Sequence, residues 1–152
     1  MEKNNNLSLS FQIHDSNMHP NEITKLIDLT PTEMYVKNDT FYIGPEHNKI
    51  KREHTSNFWE YRLAFTLDET TWSQNIINRF ILEVIGPKKD VIKMLPSSCK
   101  MNFFIGINYY NTLNPTFHFN SEDLRLLGTL GIDIDIDQYC WRDSPVERKV
   151  SK

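Results

Sequence analysis

Hydrophobic and polar positions alternate strictly over residues 7–14: Leu7, Leu9, Phe11 and Ile13 fall on one side, Ser8, Ser10, Gln12 and His14 on the other. A period of two sends successive side chains to opposite faces, so this stretch predicts a half-buried β-strand. The period changes in HPNEITKLIDL, where Pro20 suits a first helical turn and Ile23, Leu26 and Ile27 recur at helical spacing. Pro31 closes that helix, because the residue before a proline is pushed out of the α region. Residues 34–43 predict a short extended piece, a turn at Lys37-Asn38-Asp39 and a strand in TFYI; residues 44–57 read as a polar, mobile loop.

The alternation returns at residues 58–67, with Trp59, Tyr61, Leu63, Phe65 and Leu67 on one face and Glu60, Arg62 and Thr66 on the other. A helix is expected to begin within residues 68–71, carry Ile76, Ile77, Phe80, Ile81 and Val84, and stop at Gly86-Pro87. KKDVIKML suggests a shorter one. MNFFIGINYY is the most hydrophobic strand, expected near the centre of the sheet, and TFHF after Asn114-Pro115 a short one. Asn120 or Ser121 caps a further helix, which Gly128 or Gly131 ends. The last strand is GIDIDIDQYC.

Strands separated by helices, each strand with one apolar face, define an α+β fold: a mainly antiparallel sheet with helices packed on one face. A ferredoxin-like, split β-α-β order is the first choice. At 152 residues the chain is read as a single domain, with residues 1–6 and 143–152 as flexible ends.

The composition narrows the function classes. A net charge of −3 without a clustered basic surface argues against a nucleic-acid partner. No apolar run approaches a membrane span, and MEKNNNLSLS has no apolar core of a secretory signal. Cys99 and Cys140 form neither a disulfide framework nor a zinc motif, so a cytoplasmic protein with two reduced thiols and no cofactor is expected. There is no phosphate-cradling glycine motif and no H-E-x-x-H pair.

The remaining chemistry lies in Asp133, Asp135 and Asp137. Strand neighbours at i and i+2 stand roughly 6.5 Å apart, so the outer two are about 13 Å apart and all three cannot share an ion held at about 2.0–2.6 Å. An EF-hand fails: counting from Asp133, position six is Gln138 instead of glycine and position twelve is Ser144 instead of glutamate. The bland reading is the wet side of a one-sided sheet. Yet aspartate is a poor strand former, and like charges in a row repel unless cations flank them, for which Arg62 and Lys100 are the candidates.

Four segments together resemble the bacterial family called domain of unknown function 4279. They are LSLSFQIHDSNMHPNEITKLIDLTPT, the turn Lys37-Asn38-Asp39, the Trp59 strand, and FNSEDLRLLGTLGIDIDIDQY. The chain departs from the family at Asn38, where a glycine is frequent, and in a longer segment over residues 44–57. The resemblance implies a compact α+β domain and no assigned activity. By analogy with small bacterial immunity proteins, the expected function is non-enzymatic: neutralising a basic toxin domain by protein–protein binding. The expected contact residues are Asp133, Asp135 and Asp137, with Glu122 and Asp123 at the rim. The alternative is a metal-dependent hydrolase or nuclease that uses two of the aspartates with Glu60 or His118. The oligomeric state is left open.

Overall fold

A computed structural model describes residues 4–67, 73–110 and 118–141. The elements in chain order are β1 (Asn5–Ser16), α1 (Pro20–Ile27), β2 (Glu33–Tyr35), β3 (Thr40–Ile43), β4 (Ile50–Glu53), β5 (Asn57–Leu67), α2 (Ser73–Phe80), α3 (Lys89–Ile92), β6 (Lys100–Tyr110), α4 (Ser121–Leu130) and β7 (Ile132–Trp141). Five strands form one sheet in the order β2-β5-β1-β6-β7; β3 and β4 pair separately. All neighbours in the large sheet are antiparallel except β6 and β7.

This order contains two split β-α-β units. The parallel strands β1 and β2, joined through α1, have β5 between them; β5 and β6, joined through α2 and α3, have β1 between them. The result is a ferredoxin-like α+β arrangement. It is extended at one edge by a β6-α4-β7 crossover whose strands are direct neighbours. No helix among the described residues is long and apolar enough to cross a membrane.

The alternation assigns the two faces. Leu7, Leu9, Phe11 and Ile13 of β1 lie beside Ile107, Ile105, Phe103 and Met101 of β6. They meet Ile23 and Ile27 of α1, Ile77, Phe80, Ile81, Ile85 and Ile92 of the second helical layer, and Leu127 and Leu130 of α4. Trp59 is fully buried in the same layer, its ring edge-on to Phe11 and its Nε1–H donating to Thr24 Oγ1 at 3.0 Å. Among the described residues no helix packs on the opposite face, where Ser10, Glu60 and Asn102 are buried and Asp133, Asp135 and Asp137 are exposed.

Three local features differ from the sequence reading. Asn5 and Asn6 are part of β1 and not of a flexible end: Asn5 Oδ1 accepts from Tyr110 N–H and Asn6 Oδ1 from Asn108 Nδ2, at 2.8 and 2.9 Å. The expected tail over residues 143–152 lies outside the described residues. The segment after Gly44 returns as strand β4, and the hairpin is anchored to the sheet by a column of rings, Phe41–His54–Tyr35–Phe58–His14. Helical structure also does not stop at Gly86-Pro87. A π turn over Ile81–Ile85, in which Gly86 N–H bonds Ile81 O, leads into a 3-10 turn and then α3. Pro87 has no N–H to give to the carbonyl four residues back, and the widened turn carries the chain past it. The expected start of that helix at residues 68–71, and the first half of TFHF, lie outside the described residues; His118 and Phe119 belong to no strand.

Candidate functional site on the open face

The last strand is positioned by the helix before it. Asn120 caps α4, its Oδ1 accepting from Glu122 and Asp123 N–H at 3.0 and 2.8 Å, and Gly131 closes it in the left-handed region at φ 66°. The chain then runs parallel to β6, with Asp133 beside Asn102, Asp135 beside Phe104 and Asp137 beside Gly106. The same side continues into Tyr139 beside Asn108 and Trp141 beside Tyr110. Five alternate side chains therefore form one exposed stripe on the open face, acidic at one end and aromatic at the other. Tyr110, Trp141 and Tyr139 form successive stacked pairs with centroids 6.4 and 6.3 Å apart, and Trp141 Nε1–H donates to Asn108 Oδ1 at 3.0 Å.

The isoleucines between the aspartates do not anchor the strand equally. Ile132 is 5% exposed, Ile134 half-buried and Ile136 41% exposed. The ten residues of α4 cover about 15 Å, whereas the ten of β7 extend about 33 Å, so the second half of the strand runs beyond its helix.

Among the described residues no cation pairs with the charges of the stripe. Lys100 donates to Asp15 at 2.8 Å, and Arg62 lies 2.7 Å from Glu60 Oε2 and 4.0 Å from Glu33, so neither expected cation serves the aspartates. Asp135 accepts from Asn102 Nδ2 at 2.8 Å. Asp133 and Asp137 have no hydrogen bond or ion pair among the described residues. At about 6.5 Å, adjacent carboxylates repel by only about 0.6 kcal/mol in bulk water, and salt screens this further. The fold tolerates the row at small cost.

Behind the stripe a polar chain crosses the whole sheet: Glu33, Arg62, Glu60, Gln12, Asn102, Asp135. Glu60 is fully buried; its Oε1 accepts from Gln12 Nε2 at 2.7 Å, while Oε2 meets Arg62 as an ion pair out of line for a hydrogen bond. Asn102, 8% exposed, holds Gln12 and Asp135 through its amide Nδ2, and its Oδ1 has no partner among the described residues. This chain fixes Asp135 relative to the sheet. Burial holds the His14 imidazole below its ordinary value, against the opposing pull of Asp15, Asp135 and Glu60.

The sheet separates the expected contact residues. Asp133, Asp135 and Asp137 share the open face, but Glu122 and Asp123 open α4 in the helical layer behind it. Asp123 is 2% exposed, accepts from Asn120 Nδ2 at 2.7 Å, and has its carboxyl pushed up by burial. A side chain committed to a helix cap cannot also form the rim of the acidic strand. The residues that adjoin the row are Tyr139, Trp141, Tyr110 and Phe104; their signal in the sequence was the same alternation, carried two steps past Asp137. For the hydrolase alternative, Glu60 lies on β5 with β1 and β6 between it and β7, roughly 14 Å across the sheet. His118 is exposed, and its backbone N–H bonds Gln74 of α2. Among the described residues no three His, Cys, Asp or Glu side chains are grouped to hold a metal ion. Cys99 is buried and Cys140 exposed.

Fold and surface together define a ferredoxin-like α+β domain with an acidic-to-aromatic stripe on its last edge strand. The chain belongs to the family described as domain of unknown function DUF4279, which matches residues 5–141. No curated protein and no solved structure matches it.

Proposed function

We propose that this protein is a non-enzymatic binding module that docks a basic protein partner on its open sheet face. In its most concrete form it is an immunity protein, acting in the cytoplasm by covering the cationic cleft of a bacterial toxin domain. The observation that carries the reading is the exposed row Asp133, Asp135 and Asp137, without a cationic partner among the described residues and continuous with Tyr139 and Trp141. Uncompensated carboxylates in line accelerate encounter with a cationic surface and disfavour acidic partners. The aromatic end supplies what charge alone does not. Tyr139 and Trp141, each 51% exposed, offer area for close packing and ring faces for arginine or lysine.

The test is co-expression with the product of the adjacent open reading frame, followed by co-purification and a growth-protection assay. A bound partner is expected to be released by raised salt and by D133K/D135K/D137K. Trp141→Ala is expected to weaken binding by about 2 kcal/mol or more. Absence of a toxin-encoding neighbour together with absence of protection would remove the immunity reading. Binding indifferent to the triple charge reversal would remove the surface.

A further inference from the structure

We propose that the stretch of β5 beyond its pairing with β2 is a two-fold interface occupied by a second copy of this chain, joined strand to strand. Sheet edges expose unpaired backbone groups, and proteins blunt them with charge, proline, bulges or very short strands. Here one edge strand, β7, carries the aspartate row, and the other, β2, is three residues long. But β2 pairs with β5 only from Phe58 to Glu60. Thr32 N–H bonds Glu60 O and Arg62 N–H bonds the Thr32 hydroxyl, which shows that even-numbered residues of β5 turn their backbone groups outward. Ala64 and Thr66 are next in that series. Both are exposed, and their outward N–H and C=O groups have no partner among the described residues. No lysine, proline or bulge protects this part of the strand.

Beside the edge lies a groove of about 560 Å³ lined by Leu63, Phe65, Ile76, Phe80 and Val84, with Arg79 and Glu83 on its wall. Its charge pattern is complementary to itself. Arg79 and Glu83, one cation and one anion, stand one helical turn apart on the groove wall, both exposed and paired to each other at 3.2 Å. A two-fold axis normal to the sheet, level with Phe65 of β5 and passing between Arg79 and Glu83, brings a second β5 back antiparallel. Ala64 of one protomer then pairs with Thr66 of its partner, which satisfies all four outward groups on each side. The same rotation lays groove over groove and sets Arg79 of one protomer opposite Glu83 of its partner, closing a ring of four alternating charges. An interface of this kind uses one patch twice, as closed dimers require.

Sedimentation equilibrium of the full chain, from micromolar to submillimolar concentration, is expected to show a monomer–dimer equilibrium. Ala64→Pro deletes an outward N–H while sparing the β1 ladder, which uses the odd-numbered residues, and should raise the dimer Kd by at least about tenfold. Arg79→Glu alone and Glu83→Arg alone place like charges across the axis twice and should each weaken the dimer; the double exchange R79E/E83R should restore it. Positions 79 and 83 are exposed, so these variants test the interface even if Ala64→Pro does not fold. A monomer at every concentration, a dimer indifferent to Ala64→Pro, or a double exchange no better than the single ones would each overturn the proposal.

Discussion

Truncating the isoleucines of β7 one at a time to alanine tests the placement on which the functional surface depends. Ile→Ala removes three carbons, each contributing about 0.8 kcal/mol when fully buried, for about 2.4 kcal/mol of transfer free energy. Ile132, 5% exposed between α4 and Met101, leaves a closed cavity in addition, so Ile132→Ala is expected to cost about 3 kcal/mol. Ile136 is 41% exposed beyond the end of α4; a little over half the transfer term applies, water fills the gap, and Ile136→Ala should cost about 1 kcal/mol. Ile134, half-buried and packed against the core, should fall between. Urea unfolding at constant m-value reads the series as shifts in midpoint. A cost for Ile136→Ala equal to or above that for Ile132→Ala would refute the reasoning: the strand would then be covered along its length, and its opposite side could not be assigned to solvent from this geometry.

Three further outcomes are expected. Asn120→Ala deletes the acceptor for two backbone N–H groups at the start of α4 and should cost about 1 kcal/mol by chemical denaturation. D133N/D135N/D137N removes only like-charge repulsion and keeps an acceptor for Asn102, so the melting temperature should be unchanged or slightly raised at low salt, with the difference shrinking as salt is added. His14 is depressed below 6.5 in the folded state, chiefly by burial, so the unfolded chain binds more protons; its contribution is fully present above pH 6.5 and is lost as pH falls through the depressed value. His14→Gln should therefore flatten the fall in melting temperature between about pH 7 and pH 5, and an NMR titration of His14 should show a midpoint below the ordinary value.

The alternation of β1, β5, β6 and β7 by itself determined which residues meet the helices and which face outward, because a period of two leaves no third option once one face is apolar. Local cap chemistry narrowed the ends of the last helix to Asn120 or Ser121 and Gly128 or Gly131, and the structure selects Asn120 and Gly131. Tertiary structure alone decided the rest. Sequence proximity placed Glu122 and Asp123 near the aspartates, but a β-α-β crossover puts helix and strand in different layers, so nearness along the chain becomes separation across the sheet. Lys100 lies on the strand beside β7 and Arg62 on β5 with two strands between, and in both cases a closer acid, Asp15 or Glu60, took the charge. Tyr139 and Trp141 joined the row because β7 outruns α4 while staying in register with β6, and register with a distant strand is not written in either segment. The same holds for the edge of β5 beyond Glu60: its pattern matches that of a fully paired strand, and the three-residue length of β2 leaves it unpaired among the described residues.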